Sequence, residues 1–236
     1  MAIGLLILNS RGADSGSGSG SGTGSGSLPA GLVEPSDPIA AGISRDGRIL
    51  GSPSAAVVLD EWEDFQCPAC GLYSTTVEPQ IINRFVLPGN LRIVFHDYAF
   101  IGPESLDAAS AARCAGDQGK FWDYHQWLYA NQKGENNGSF SRERLAAIAG
   151  QVVPDVTAWA SCYDGGGQRQ PVLDERGQGS NAGISSTPTL MVDGQKLAFR
   201  TVDELLQQLL TRIEAAPHSS SPPSGSIASP AASASP

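Results

Sequence analysis

Four cysteines stand at positions 67, 70, 114 and 162, and the first two are three residues apart. Cys67-Pro68-Ala69-Cys70 is a spacing that can carry redox chemistry. At the start of a helix, residues three apart share a face, so the two sulfurs can reach bonding distance. The unpaired N–H groups and dipole at such a helix start favour negative charge, which stabilises the Cys67 thiolate, the nucleophilic form. Cys70, one turn in, is expected to be more buried and to resolve a mixed disulfide. Pro68 suits the first turn, where its missing N–H is no loss. Three other readings compete: half a zinc site, a structural disulfide, or two idle thiols. A closed zinc site wants a second ligand pair. Cys114 and Cys162 are isolated and His96, His125 and His218 have no ligand spacing, so no metal is expected.

The flanking elements favour the redox reading. Residues 55–62 are short, apolar and β-branched, the pattern of a buried strand. After the cysteines, residues 70–86 put Val77, Ile81, Ile82 and Phe85 at helical spacing, with Pro79 expected to kink the helix. Residues 91–98 form a second strand, so the unit reads as βαβ with parallel strands. A CxxC between the strand and helix of such a unit reads as a thioredoxin-like redox motif. Helices then follow at 104–116, 120–131 and 141–149, the last ending at Gly150. Another is capped by Asp155. The sheet pattern resumes with residues 189–192, an Asp193-Gly194 turn and residues 196–199. A final helix opens at Thr201, with Glu204 completing a capping box. The first and last parts can share one sheet, with the helical block inserted between them.

The chain has 236 residues and a formal net charge of −9. No cluster of Lys and Arg stands out, so nucleic acid is not an expected partner. Residues 1–34 hold a Ser/Gly-rich stretch, and residues 217–236 are almost all Pro, Ser and Ala. Both are expected to be disordered, leaving a domain at 35–216 with its insertion at about 103–183. Residues 3–8 (Ile-Gly-Leu-Leu-Ile-Leu) have two readings. They are an unstructured start, or the shortened end of a membrane anchor or signal.

The segment Asp64-Phe65-Gln66-Cys67-Pro68-Ala69-Cys70 resembles the active site of DsbA-like proteins of the thioredoxin superfamily. Arg113-Cys114-Ala115-Gly116 through Phe121-Trp122 resembles their first inserted helices. Ser186-Thr187-Pro188-Thr189-Leu190 resembles their cis-proline loop, and Asp193-Gly194 their last turn. The resemblance covers about residues 52–214. It implies an α/β thioredoxin fold: a central mixed sheet flanked by helices, with an inserted all-helical subdomain. It implies an attacking Cys67, a resolving Cys70, a cis Pro188 beside them and a Thr187 backbone that pairs with extended substrate. Glu61, six residues before Cys67, stands where the family often buries an acid able to exchange a proton with Cys70. The alternative for Glu61 is an exposed strand-end charge among Asp60, Glu63 and Asp64. Ala69 departs from the family, which commonly has histidine there. Its side chain offers the thiolate nothing, so weaker oxidising power is expected. The Gly-rich residues 165–183 lead us to expect a short or irregular last inserted helix.

Cys114 and Cys162 can bridge if their helices face each other, or remain buried thiols. Some DsbA-like proteins of Gram-positive bacteria carry a similar second bridge, and the resemblance favours one here. Such a bridge points to an extracytoplasmic location, with membrane anchoring through the N-terminus as one form of it. The activity implied is thiol–disulfide exchange with exported, cysteine-containing proteins. The expected direction is dithiol oxidation by a monomer, with no cofactor beyond the disulfide. Reoxidation would come from a membrane partner resembling DsbB or vitamin K epoxide reductase. The alternatives are a reductase or isomerase, a non-catalytic binding module or chaperone, and, last, a relative of glutathione-dependent isomerases and transferases.

Overall fold

The structure is a computed structural model that describes residues 28–216. Residues 1–27 and 217–236 lie outside it, and with them the anchor reading, most of the tether and the C-terminal tail. The packed chain begins before residue 35. Leu32 is buried, and Val33 exchanges two hydrogen bonds of 2.8 Å with the Asn131 side chain.

Strand alternation organises the centre. In β3 (Val57–Glu63), Val57, Leu59, Glu61 and Glu63 point to one face, and Val58, Asp60 and Trp62 to the other. β3 pairs in parallel with β4 (Leu91–Asp97) and antiparallel with β5 (Thr189–Val192). With β1 (Arg45–Asp46), β2 (Ile49–Leu50) and β6 (Gln195–Lys196), the sheet runs β1-β2-β4-β3-β5-β6. Being central, β3 is covered on both faces, and Glu61 and Glu63 are buried in it as well as Val57, Leu59 and Trp62. The β1–β2 hairpin has no counterpart among the sequence expectations, since two-residue strands are too short to show a period. β6 is shorter than expected. Asp193 (φ 53°) and Gly194 (φ 71°) form the expected tight turn. Pairing then stops after Leu197 N–H bonds Leu190 O.

Helix α1 (Pro68–Thr76) crosses between the parallel strands. The missing N–H of Pro79 accompanies a break at Val77, after which α2 (Glu78–Ile81) and a π-helical turn (Ile82–Val86) complete the crossover. The inserted block is α3 (Pro103–Gly116), α4 (Phe121–Ala130), α5 (Arg142–Val152), α6 (Val156–Asp164) and α7 (Arg169–Asn181). α5 runs past Gly150 and stops where Val153, the residue before Pro154, is extended. A disulfide joins Cys114 in α3 to Cys162 in α6. Beside it the fully buried Trp159 donates to Ala111 O at 3.0 Å. α8 (Val202–Ala215) closes the fold; the Thr201 hydroxyl caps Glu204 N–H.

The last inserted helix is neither short nor irregular: α7 has 13 residues. Long-range contacts override its low propensity. Glu175 pairs with Arg48, Arg113 and His96, and accepts from Asp97 N–H. Burial opposes ionisation of Glu175, but these partners prevail and hold its carboxyl down at about 2. Gly179 lets α7 lie against the Trp62 and Tyr98 rings; a Cβ there would fall 2.7 Å from Trp62 Cζ3 and 2.9 Å from Tyr98 Cδ2. Gly179→Ala should therefore destabilise the domain by about 1–3 kcal/mol, read as a lower urea midpoint. An unchanged midpoint would show that the rings can give way.

Candidate active site

The end of β3 delivers the chain to the cysteines. Asp64 Oδ1 accepts from Gln66 N–H at 2.8 Å, and Oδ2 accepts from the N–H groups of Phe100 and Ile101. This fixes the turn after β3 to the loop after β4. Gln132, beyond α4, donates from Nε2 to Phe65 O (2.6 Å) and Cys67 O (3.0 Å). Gln66 reaches Ser105 and Asn136. The insertion therefore holds the cysteine loop through side-chain amides as well as covering it.

Cys67 is the N-cap residue of α1 and Pro68 follows at its first position. Cys67 is 8% exposed and Cys70 is fully buried, and both are thiols. The Thr187–Pro188 peptide is cis, and Cys67 Sγ lies 3.4 Å from Thr187 O. The fold thus brings Cys67, Pro68, Ala69, Cys70, Thr187 and Pro188 into one place, where the start of α1 meets the approach to β5.

A hydrogen bond from the Cys70 thiol is the largest cause holding the Cys67 thiol down at about 6. Burial opposes it, while the Thr187 side chain and the N–H groups of Cys70 and Ala69 add to it. Ala69 thus contributes through its backbone, although its side chain offers nothing. Burial pushes Cys70 the other way, far above the ordinary thiol range, aided by its bond to Cys67 and the charge of Glu63. Cys67 is the nucleophile this arrangement favours, and Cys70 is a thiol that holds its proton.

Reduced protein should show a thiolate absorbance with a midpoint near 6, present above that pH and lost as pH falls through it. Because the folded value lies below the ordinary 9.0, the reduced form should gain stability relative to the oxidised form as pH rises from 6 to 9. A midpoint at the value of an ordinary thiol would contradict this geometry.

Glu61 is fully buried, so the exposed strand-end reading does not hold. Its carboxyl accepts from the Tyr73 hydroxyl. Glu63, two residues on and on the same face, is buried too and accepts from the Tyr129 hydroxyl at 2.6 Å. The charge of Glu63 is among the causes that raise Cys70, and that of Cys67 among those that raise Glu63. Sequence reasoning had singled out Glu61 alone, but strand alternation was a signal for Glu63: an inward Glu61 implies an inward Glu63. A third buried carboxyl, Glu78, accepts from Ser74 Oγ at 2.7 Å. Burial first, and the charge of Glu78 next, push Glu61 and Glu63 well above the usual carboxylate range; burial lifts Glu78 to about 7. Nearby His125 is fully buried, and burial keeps it neutral with a value near 3.

A family described as Thioredoxin matches residues 44–211. The probable disulfide bond formation protein D of Bacillus cereus is 26% identical over 149 residues, covering 61% of this chain and 69% of that protein. A Na(+)/H(+) antiporter NhaA 1 of Salinispora arenicola is 30% identical over 176 residues, 70% of this chain but 23% of the antiporter. The crystal structure of oxidised BdbD from Bacillus subtilis superposes with a TM-score of 0.67 at 22% identity, covering 72% of this chain and 94% of that one.

Proposed function

The chain belongs to the thioredoxin family, in its DsbA-like form, and from that premise we propose that its Cys67–Cys70 pair works as a dithiol oxidase for extracytoplasmic proteins. It is a thiol–disulfide oxidoreductase. The observation that carries the reading is the asymmetry of the pair. The reduced form gains a stabilised thiolate at Cys67 that the disulfide lacks, and a couple with a stabilised reduced form is the more oxidising one. A substrate thiolate attacks Cys67, and the second substrate thiol then releases it. The Thr187 backbone beside the sulfur offers an extended substrate a strand-like partner. No cofactor beyond the cysteine pair enters this chemistry. The name of the Bacillus cereus relative supports the oxidising direction. Reoxidation by a membrane partner resembling DsbB or vitamin K epoxide reductase completes the cycle. Among the described residues, no helix is long and apolar enough to cross a membrane.

Equilibration with glutathione, beside refolding of reduced ribonuclease, tests the direction. The expected result is a couple more oxidising than glutathione and rapid ribonuclease oxidation. A potential near the roughly −270 mV of thioredoxin would make the protein a reductase instead.

A further inference from the structure

We propose that Gln132 is a positioning residue of the exchange reaction: its side-chain amide fixes the Cys67 main chain so that the start of α1 receives the departing sulfur, which makes the pair a stronger oxidant. The proposal rests on Cys67 being the exchanging sulfur. It adds the group, contributed by the helical insertion, that sets how readily this sulfur leaves.

The amide of Gln132 spends both of its N–H groups on the cysteine loop, one on Phe65 O at 2.6 Å and one on Cys67 O at 3.0 Å. Cys67 O also accepts from Gly71 N–H at 3.0 Å, the first bond of α1. The carbonyl of the nucleophile's own residue is therefore held from two sides, and with it the Cys67 backbone (φ −67°, ψ 118°). The amide lies against α1 at Gly71, where there is no side chain; a Cβ there would fall 2.5 Å from Gln132 Oε1. Its mount is firm. The preceding residue, Asn131, is fully buried, exchanges bonds of 2.8 Å with Val33 N–H and O, and donates to Trp127 O at 2.9 Å. A side chain carried on so fixed a segment loses little further freedom in holding its partners.

The step served is the release of substrate. The substrate's second thiolate bonds the substrate sulfur held by Cys67, the mixed disulfide breaks, and its electron pair leaves on Cys67 Sγ. That sulfur is supported by the N–H groups of Ala69 and Cys70, whose aim depends on the Cys67 backbone. Two effects of Gln132 act in the same direction. It fixes this aim, and it sets donor hydrogens on two carbonyl oxygens whose partial negative charge opposes a nearby thiolate. Because Ala69 offers the sulfur no side-chain group, its support comes through the main chain that Gln132 holds.

Three measurements on the full-length protein read this role: thiolate absorbance against pH, equilibration with glutathione, and the urea midpoint. Gln132→Met keeps the length and bulk of the side chain and removes both donors. It should raise the thiolate midpoint by about half a pH unit or more, and lower the equilibrium constant for oxidising glutathione about threefold or more. Gly71→Ala keeps the amide but pushes its flexible end off the carbonyls, and alanine is the better helix residue. It should move both quantities in the same direction without lowering the urea midpoint. A side chain that only fills space would leave both quantities at wild-type values in Gln132→Met. One that only stabilises the fold would move the urea midpoint alone. Either result overturns the proposal, as does a Gly71→Ala protein that titrates like wild type; this variant decides the matter if Gln132→Met does not fold. Wild-type protein whose Cys67 titrates as an ordinary thiol would overturn the exchange reading, and the proposal with it.

Discussion

Cys67→Ser should reduce both ribonuclease oxidation and insulin reduction to the rate of the buffer thiols alone. The loss follows from what the site does. A serine oxygen cannot form the mixed disulfide, and without it no electron pair passes between substrate and protein. The helix start that holds the Cys67 thiol near 6 would stabilise nothing in its place, because a hydroxyl does not ionise in this range. Cys70→Ser should behave differently. Its Cys67 still attacks, nothing resolves the product, and substrates should accumulate on the protein as mixed disulfides visible by mass. Full activity of Cys67→Ser in both assays would show that the cysteine pair is not the working part.

The second large effect is on stability. Replacing Cys114 and Cys162 together by alanine should destabilise the domain by about 4 kcal/mol, since the bridge closes a loop across a separation of 48 residues. The bond joins α3 to α6 in the helical block, where Trp159 and Tyr124 stack, and it contributes no atom to the Cys67 loop. The variant should therefore lose urea resistance while keeping exchange activity at temperatures where it remains folded. A change of less than about 1 kcal/mol would mean that the unfolded chain is already constrained or that the native bond is strained.

Much of the fold was legible because it is written locally. The apolar run in β3, the helical spacing after Cys70, the caps at Asp155 and Thr201 and the Asp193-Gly194 turn each involve residues within a few positions of one another. Three elements were not legible. The β1–β2 hairpin is too short to show a period. α5 outlasts Gly150 because its stop is set by Pro154. α7 overrides its glycines because Glu175 is gripped by Arg48, Arg113 and His96.

The active site divides along the same line. Residue type and spacing settled that Cys67 begins a helix and Cys70 lies one turn behind it, because a helix turn is local geometry. Folding decided what surrounds them. Gln132 reaches the Cys67 carbonyl across 65 positions, and Thr187 reaches the sulfur across 120. The partners of the buried Glu61 and Glu63 were also set there, by Tyr73 and Tyr129 arriving from different helices to occupy one oxygen of each. Spacing can nominate a nucleophile, but the supporting groups Gln132 and Thr187 come from distant segments that meet it only when the sheet and the helical insertion pack together.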